Sequence, residues 1–255
     1  MSLEIVTVPC LRDNYAFLAH DGVTGETAVV DVPEHGPILA ALAGRGWKAS
    51  VILVTHHHAD HIDGVPALVA ATGAKVVGAA ADAHRLPPLD VRVKEGDRVR
   101  VGGEEGTVID VSGHTVGHIA FHFPASKAVF TADSLMACGC GRVFEGTFPQ
   151  MWESLSKLAA LPPDTAVYSG HEYTASNARF ASSIEPGNPD LAARIAAIET
   201  ARAADRPTVP SLLSLELATN PFLRARLPSV KALVGLPDAT DAEAFAEIRQ
   251  RKDRF

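Results

Sequence analysis

The first third of the chain alternates short apolar runs with polar punctuation. Leu3 to Val8, Tyr15 to Ala19 and Thr27 to Val32 are rich in β-branched, aliphatic and aromatic residues, and Asp, Asn and Gly clusters separate them. That pattern predicts antiparallel strands of one sheet. Pro37 to Gly44 has helical composition and stops at Gly-Arg-Gly, after which Ser50-Val-Ile-Leu-Val-Thr55 runs apolar without alternation. A strand with no polar face is buried on both sides. Val65 to Ala71 suits a helix closed by Gly73, and Ala74-Lys-Val-Val-Gly78 suits the next strand. Residues 50–78 therefore read as a βαβ unit, whose ligands belong at the carboxyl end of its first strand.

Strand patterning resumes with Asp90 to Val93, Arg98 to Val101, Thr107 to Val111, Ile119 to Phe123 and Ala128 to Thr131, punctuated by Glu95-Gly96-Asp97 and Gly102-Gly103. Two strand-rich blocks with near-apolar central strands and helices beside them predict two mixed sheets packed face to face with helices outside. This is an α+β fold of the αββα type. Beyond residue 172 the texture becomes Ala-rich and helical. Asn188 caps a helix with Pro189 at its first position, and Thr240-Asp-Ala-Glu243 has capping-box spacing ahead of Phe245 and Ile248. The expected organisation is a sandwich domain over 1–172 and a small helical domain over 173–255.

Composition narrows the function. With 23 basic and 30 acidic residues among 255, the net charge of -7 has the wrong sign for a protein that neutralises phosphates, so nucleic acid is not an expected partner. No apolar run approaches the roughly 20 residues that cross a bilayer, and the N-terminus lacks a basic segment leading into an apolar one. Cys10, Cys138 and Cys140 are an odd number, which suits a reducing compartment. The expectation is a cytoplasmic protein with a small-molecule substrate, no membrane association and no obligatory protein partner.

Four of the 11 histidines fall between His56 and His61. Thr55-His56-His57-His58-Ala59-Asp60-His61 directly follows the apolar strand. In an extended loop His56 and His58 point the same way and can share one cation, while Asp60 and His61 can turn toward a second. His114 in Ser-Gly-His-Thr, Asp133 in Thr-Ala-Asp-Ser and His171 in Ser-Gly-His-Glu each follow a strand-like run at a tight turn. The set then closes: His56, His58 and His114 on one divalent metal ion, Asp60, His61 and His171 on another, and Asp133 bridging them. Imidazole and carboxylate without thiolate suit zinc, iron or manganese in open catalytic coordination. His57 points away from its neighbours and reads as support for a ligand. His20, His35, His84, His118 and His122 read as ordinary core or surface histidines.

These residues resemble the metallo-β-lactamase superfamily, through its His-x-His-x-Asp-His signature and the later His, Asp and His. Within it, Asp13-Asn14-Tyr15, the triple histidine, Cys138-Gly-Cys-Gly-Arg142-Val-Phe-Glu-Gly-Thr147, Gly170-His-Glu-Tyr-Thr174, Asn220-Pro-Phe-Leu-Arg224 and Arg249-Gln-Arg-Lys-Asp-Arg-Phe255 are similar to motifs of the glyoxalase II branch, the hydroxyacylglutathione hydrolases. The resemblance implies hydrolysis of S-(2-hydroxyacyl)glutathione thioesters, chiefly S-D-lactoylglutathione, to glutathione and D-lactate by a metal-bridging hydroxide. It also implies two metal ions per chain, zinc before iron or manganese, and it assigns Arg142, Tyr173, Arg249 and Lys252 to the glutathione moiety. Arg249 and Lys252, three apart on one helix face, can share an anion. The plain alternative for these cations is to complement the helix C-terminal dipole. A second reading within the superfamily is a mononuclear-iron glutathione persulfide dioxygenase. The sequence departs from the branch at Phe144, where some members have tyrosine, at Ala132, where glycine is usual, and at Asp63, where a second glycine is common.

Overall fold

The computed structural model describes residues 2–255, which form two compact units. The first comprises the described residues up to Asp110 together with Val116–Ala132, and the second comprises Val111–Thr115 and Asp133–Phe255.

In the first unit, β1 (Glu4–Cys10), β2 (Asn14–His20) and β3 (Glu26–Val30) form the predicted antiparallel meander. Helix α1 (His35–Arg45) leads to β4 (Lys48–Leu53), and α2 (Ala59–Ile62) with α3 (Val65–Thr72) leads to β5 (Lys75–Ala79) and β6 (Val91–Val93). Strands β3 to β6 are parallel, so each successive pair needs a crossover connection, which is helical between β3 and β4 and between β4 and β5. Gly73 ends α3 with φ of 71°, a left-handed turn that only glycine adopts without a Cβ penalty. Strands β7 (Arg98–Val101), β8 (Glu104–Asp110), β9 (Ile119–Phe123) and β10 (Ala128–Ala132) follow as an antiparallel set in the order β10-β9-β8-β7. The apolar faces of the two strand sets meet at Phe17 and Phe130, whose ring centroids are 5.6 Å apart, with Leu18, Ile52, Phe121 and Phe123 buried around them. Helices α1 and α3 pack against the first sheet, giving both sheets of the expected sandwich and one helical layer.

The strand at Asp90 to Val93, expected with the second block, instead extends the first sheet as β6, parallel to β5, and another predicted strand is shorter than expected. The run through Val32 stops at Val30, because Asp31 takes a left-handed φ of 55°. That turn aims its carboxylate at the loop after β4, where Thr55 donates to it through both its backbone N–H (2.9 Å) and its hydroxyl (2.8 Å).

The second unit begins with the short hairpin β11 (Leu135–Met136) and β12 (Gly139–Cys140), then α4 (Phe148–Ala159), β13 (Ala166–Ser169), α5 (Thr174–Ile184) and α6 (Pro189–Ala203). Strand β14 (Ser211–Leu212) pairs antiparallel with β13 and is followed by α7 (Leu213–Thr219), α8 (Pro221–Arg224), α9 (Pro228–Leu233) and α10 (Asp241–Arg254). Both predicted caps form. Asn188 accepts from the backbone of Asp190 and Leu191, and Thr240 with Glu243 makes the reciprocal capping box. Phe180, Phe222, Phe245 and Ile248 are fully buried and centre the core of this unit. Among the described residues no helix is long and apolar enough to cross a membrane.

Candidate metal centre

In the first unit the chain leaves β4 at Leu53 and exposes its histidines to one another. His56 and His61 are fully buried, whereas His58 and Asp60 are half-buried. Asp31 organises both buried rings. Its carboxylate can only accept, so His61 donates through Nδ1 (2.9 Å), which leaves Nε2 as the lone-pair nitrogen. The Thr55 hydroxyl donates to the same carboxylate and therefore accepts from His56 Nδ1 (3.0 Å), freeing His56 Nε2 in turn. That Nε2 lies 3.2 Å from His58 Nδ1. With His56 Nε2 committed as an acceptor, His58 Nδ1 can donate to it in the metal-free protein, and a cation taking that proton's place would bring both nitrogens to itself as ligands. Ligand atoms of Asp31, His56 and His61 also lie within 4.8 Å of one another. Asn14 donates to the backbone oxygen of Asp60 (3.0 Å) and to its carboxylate (2.9 Å), fixing that side chain at the start of α2. His57 turns away, as expected, and bonds to Asp82 at 2.9 Å.

Asp31 was not legible as a functional residue. Its only signal in the sequence is an acid closing an apolar run where strand periodicity calls for burial. His118, read as an ordinary histidine, is a core residue whose ring stands 4.5 Å from that of His56.

The second unit brings together the other three predicted ligands. Asp133 Oδ2 stands 3.5 Å from His114 Nε2 and 3.2 Å from His171 Nε2. His114 donates through Nδ1 to the Arg142 carbonyl (2.7 Å), so its Nε2 is again the lone-pair nitrogen. All three side chains are buried. Imidazole nitrogens and a carboxylate with no thiolate suit a divalent cation in a hydrolytic site. The cysteines stay out of this chemistry, since burial pushes the thiols of Cys138 and Cys140 up to about 12 and about 11.

Strand β10 ends just before Asp133, and Ala132 there adopts φ of 42°. A left-handed non-glycine residue costs about 1–2 kcal/mol, and a glycine would give back about 0.4–1 kcal/mol through unfolded-chain entropy. Ala132→Gly is therefore expected to stabilise the protein by about 0.5–1 kcal/mol, read as a higher urea midpoint at unchanged slope.

The predicted cations also gather in this unit, though not as a simple shared face. Arg249 is only 5% exposed, and its guanidinium donates to the Cys140 carbonyl (2.9 Å) and to Asp253 (3.0 Å) over the Phe222 ring. Its Nε is buried with no hydrogen-bond partner. Asp253 also receives Arg142, at 3.2 Å, so one acid ties together the two arginines expected to meet. Lys252 lies beside the rings of Phe180 and Phe255. Burial, reinforced by the charges of Arg249 and Arg179, pushes its ammonium down to about 8. Tyr173 stacks on His171 with centroids 4.6 Å apart, and Phe144 covers His114 at 5.3 Å; both rings are exposed at their outer edges.

The comparisons with known proteins agree with this chemistry. Residues 21–171 match the sequence model of the metallo-β-lactamase superfamily, and residues 172–255 match that of the hydroxyacylglutathione hydrolase C-terminus. The chain is 68% identical to a hydroxyacylglutathione hydrolase of Cereibacter sphaeroides, over all of both chains. Among solved structures it is similar to ETHE1 from Myxococcus xanthus (26% identity, 98% of this chain and 90% of that one, TM-score 0.68). It is also similar to TTHA1623 in a di-iron-bound form (27% identity, 86% of this chain and 100% of that one, TM-score 0.60). The chain belongs to the metallo-β-lactamase superfamily and, within it, to the hydroxyacylglutathione hydrolase family.

Proposed function

We propose that this chain hydrolyses S-(2-hydroxyacyl)glutathione thioesters, chiefly S-D-lactoylglutathione, to glutathione and a 2-hydroxy acid, the closing step of methylglyoxal detoxification. The observation that carries this reading is the 68% identity over the whole length, cation-bearing tail included, to a relative of that name. In this proposal His56, His58 and His114 hold one divalent ion, Asp60, His61 and His171 a second, and Asp133 serves both. Zinc is the first expectation, with iron and manganese compatible with the same ligands. Bound there, such ions lower the pKa of water toward about 7 and polarise an acyl carbonyl, which is the chemistry a thioester needs.

The chain supplies the rest. Asp31 keeps His56 and His61 in the tautomers that present Nε2, and the Arg142 carbonyl does the same for His114. Arg142, Tyr173, Arg249 and Lys252 take the glycine carboxylate and nearby backbone of glutathione. Lys252 contributes its ammonium, and Arg249 contributes by holding Asp253, the acid that also receives Arg142. The thiolate that leaves has a parent pKa near about 8.5, so no separate acid is required. In the proposed division of labour residues 1–172 are catalytic and 173–255 bind substrate, and the reaction belongs to the cytoplasm, where glutathione is kept reduced.

Purified protein should consume S-D-lactoylglutathione at neutral pH while carrying about two metal ions per chain. A fully metallated protein that leaves the thioester intact, holds a single iron and takes up oxygen with glutathione persulfide would instead be the dioxygenase. The Lys252 ammonium gives a pH signature. It is cationic below its depressed pKa of about 8 and neutral above it, so the glutathione carboxylate loses a partner as pH rises. KM is expected to increase roughly 2- to 5-fold between about pH 7 and about pH 9.5, the scale of one solvent-accessible ion pair, with a smaller change in kcat. Lys252→Arg should flatten the KM profile, because guanidinium stays charged throughout.

A further inference from the structure

The hairpin β11–β12 sits between Asp133 and Arg142, and side chains from the helices of the second unit address its backbone almost group by group. Asn220 Nδ2 donates to the carbonyls of Met136 (3.1 Å) and Gly139 (2.9 Å), and Asn177 donates to that of Ala137 (3.1 Å). The Cys138 N–H donates to Glu216 Oε2 at 2.9 Å. Glu216 is the hub. It is fully buried, and Oε2 also accepts from Asn220 (3.0 Å), while Oε1 accepts from the Ser211 hydroxyl (2.6 Å) and from buried Arg194.

A buried ion pair is weak evidence for stability, since its desolvation offsets most of its attraction and apolar residues of like volume often serve as well. Geometry is the better account here. The hairpin closes through the Gly141 N–H, which donates to the Ser134 carbonyl (3.0 Å). Asp133 lies at one end, and at the other the Arg142 carbonyl accepts from His114 Nδ1 (2.7 Å). Any shift of the hairpin moves a carboxylate and the acceptor that sets a histidine tautomer together.

We propose that Glu216, paired with Arg194, is a positioning residue that presents Asp133 and His114 to the metal through the backbone of this hairpin. The inference rests on the reading of those two residues as metal ligands. Glu216→Gln keeps the volume but replaces one of the two acceptor oxygens with an amide that faces donors.

Zinc retention of the loaded enzyme against a graded chelator is the primary readout, with kcat, KM and melting temperature on the same samples. Glu216→Gln is expected to weaken zinc retention and lower kcat by about 10- to 100-fold, the usual scale for a ligand-supporting group, with KM within about 2-fold of wild type. Glu185→Gln is the control. It disrupts a chemically matched pair with Arg224 (2.7 and 2.9 Å) in the same unit, and zinc retention should stay at the wild-type level. Should Glu216→Gln fail to fold, Asn220→Ser replaces it, since serine can still cap α8 but cannot reach the Met136 and Gly139 carbonyls; the same loss of zinc is expected. Wild-type zinc retention in a folded Glu216→Gln or Asn220→Ser protein overturns the proposal, as does an equal loss in Glu185→Gln. A wild-type enzyme that binds no zinc, iron or manganese defeats the metal reading itself, which the variants alone would not.

Discussion

His58→Ala is expected to lower kcat/KM for S-D-lactoylglutathione by about 1,000-fold or more, since a Lewis-acid centre supplies several kcal/mol of transition-state stabilisation. The fall should come mainly in kcat, because the residues proposed to bind glutathione lie elsewhere in the sequence. His58 offers Nδ1 to the point that His56 Nε2 already faces at 3.2 Å, and His56 is held by Thr55 and Asp31 whether or not His58 is present. The variant should therefore fold, with melting temperature close to that of wild-type apoprotein, and bind about one metal ion fewer per chain. Unchanged metal content together with unchanged turnover would remove His58 from the site.

Gly141→Ala should be the most damaging single change of one methyl group in the second unit. A Cβ at that position would stand 1.9 Å from the Asp133 carbonyl oxygen and 2.9 Å from His114 Nδ1. Neither is the far end of a flexible side chain, so the backbone would have to separate. Doing so breaks the hydrogen bond from the Gly141 N–H to Ser134 and the one from His114 to the Arg142 carbonyl. Ordinary overpacking costs about 1–3 kcal/mol, and a collision between two backbone segments is expected to exceed about 3 kcal/mol. Urea unfolding reads that loss directly. Any protein that still folds should show kcat lowered at least about 100-fold, since both Asp133 and His114 have moved. Wild-type stability in this variant would show that the hairpin has slack, which would also weaken the positioning role proposed for Glu216.

Legibility followed the range over which each residue acts. The seven candidate ligands could be read because each sits at the end of a strand-like run, in a turn, as a residue type with few other uses in such numbers. The cap at Asn188 and the box at Thr240 and Glu243 were legible for the same reason, since their partners lie within three residues. Arg249 was only half-read. Helical spacing puts it beside Lys252, but nothing local says that its guanidinium turns inward to Cys140, 109 residues earlier. Asp31 and Glu216 were missed entirely. Asp31 acts on His61 from 30 residues away, and Glu216 on Cys138 from 78.

The sequence by itself determined the strand and helix periods, the two-sheet class, the donor chemistry of the metal centre and the family. All of these depend on residue type and on spacing within a few positions. Only the tertiary structure decided which nitrogen His56, His61 and His114 present, which acid or carbonyl orients each, and how the Asp133 hairpin is held. A hydrogen bond is set by ångström distances and donor direction, and the two groups that make it can be any number of residues apart.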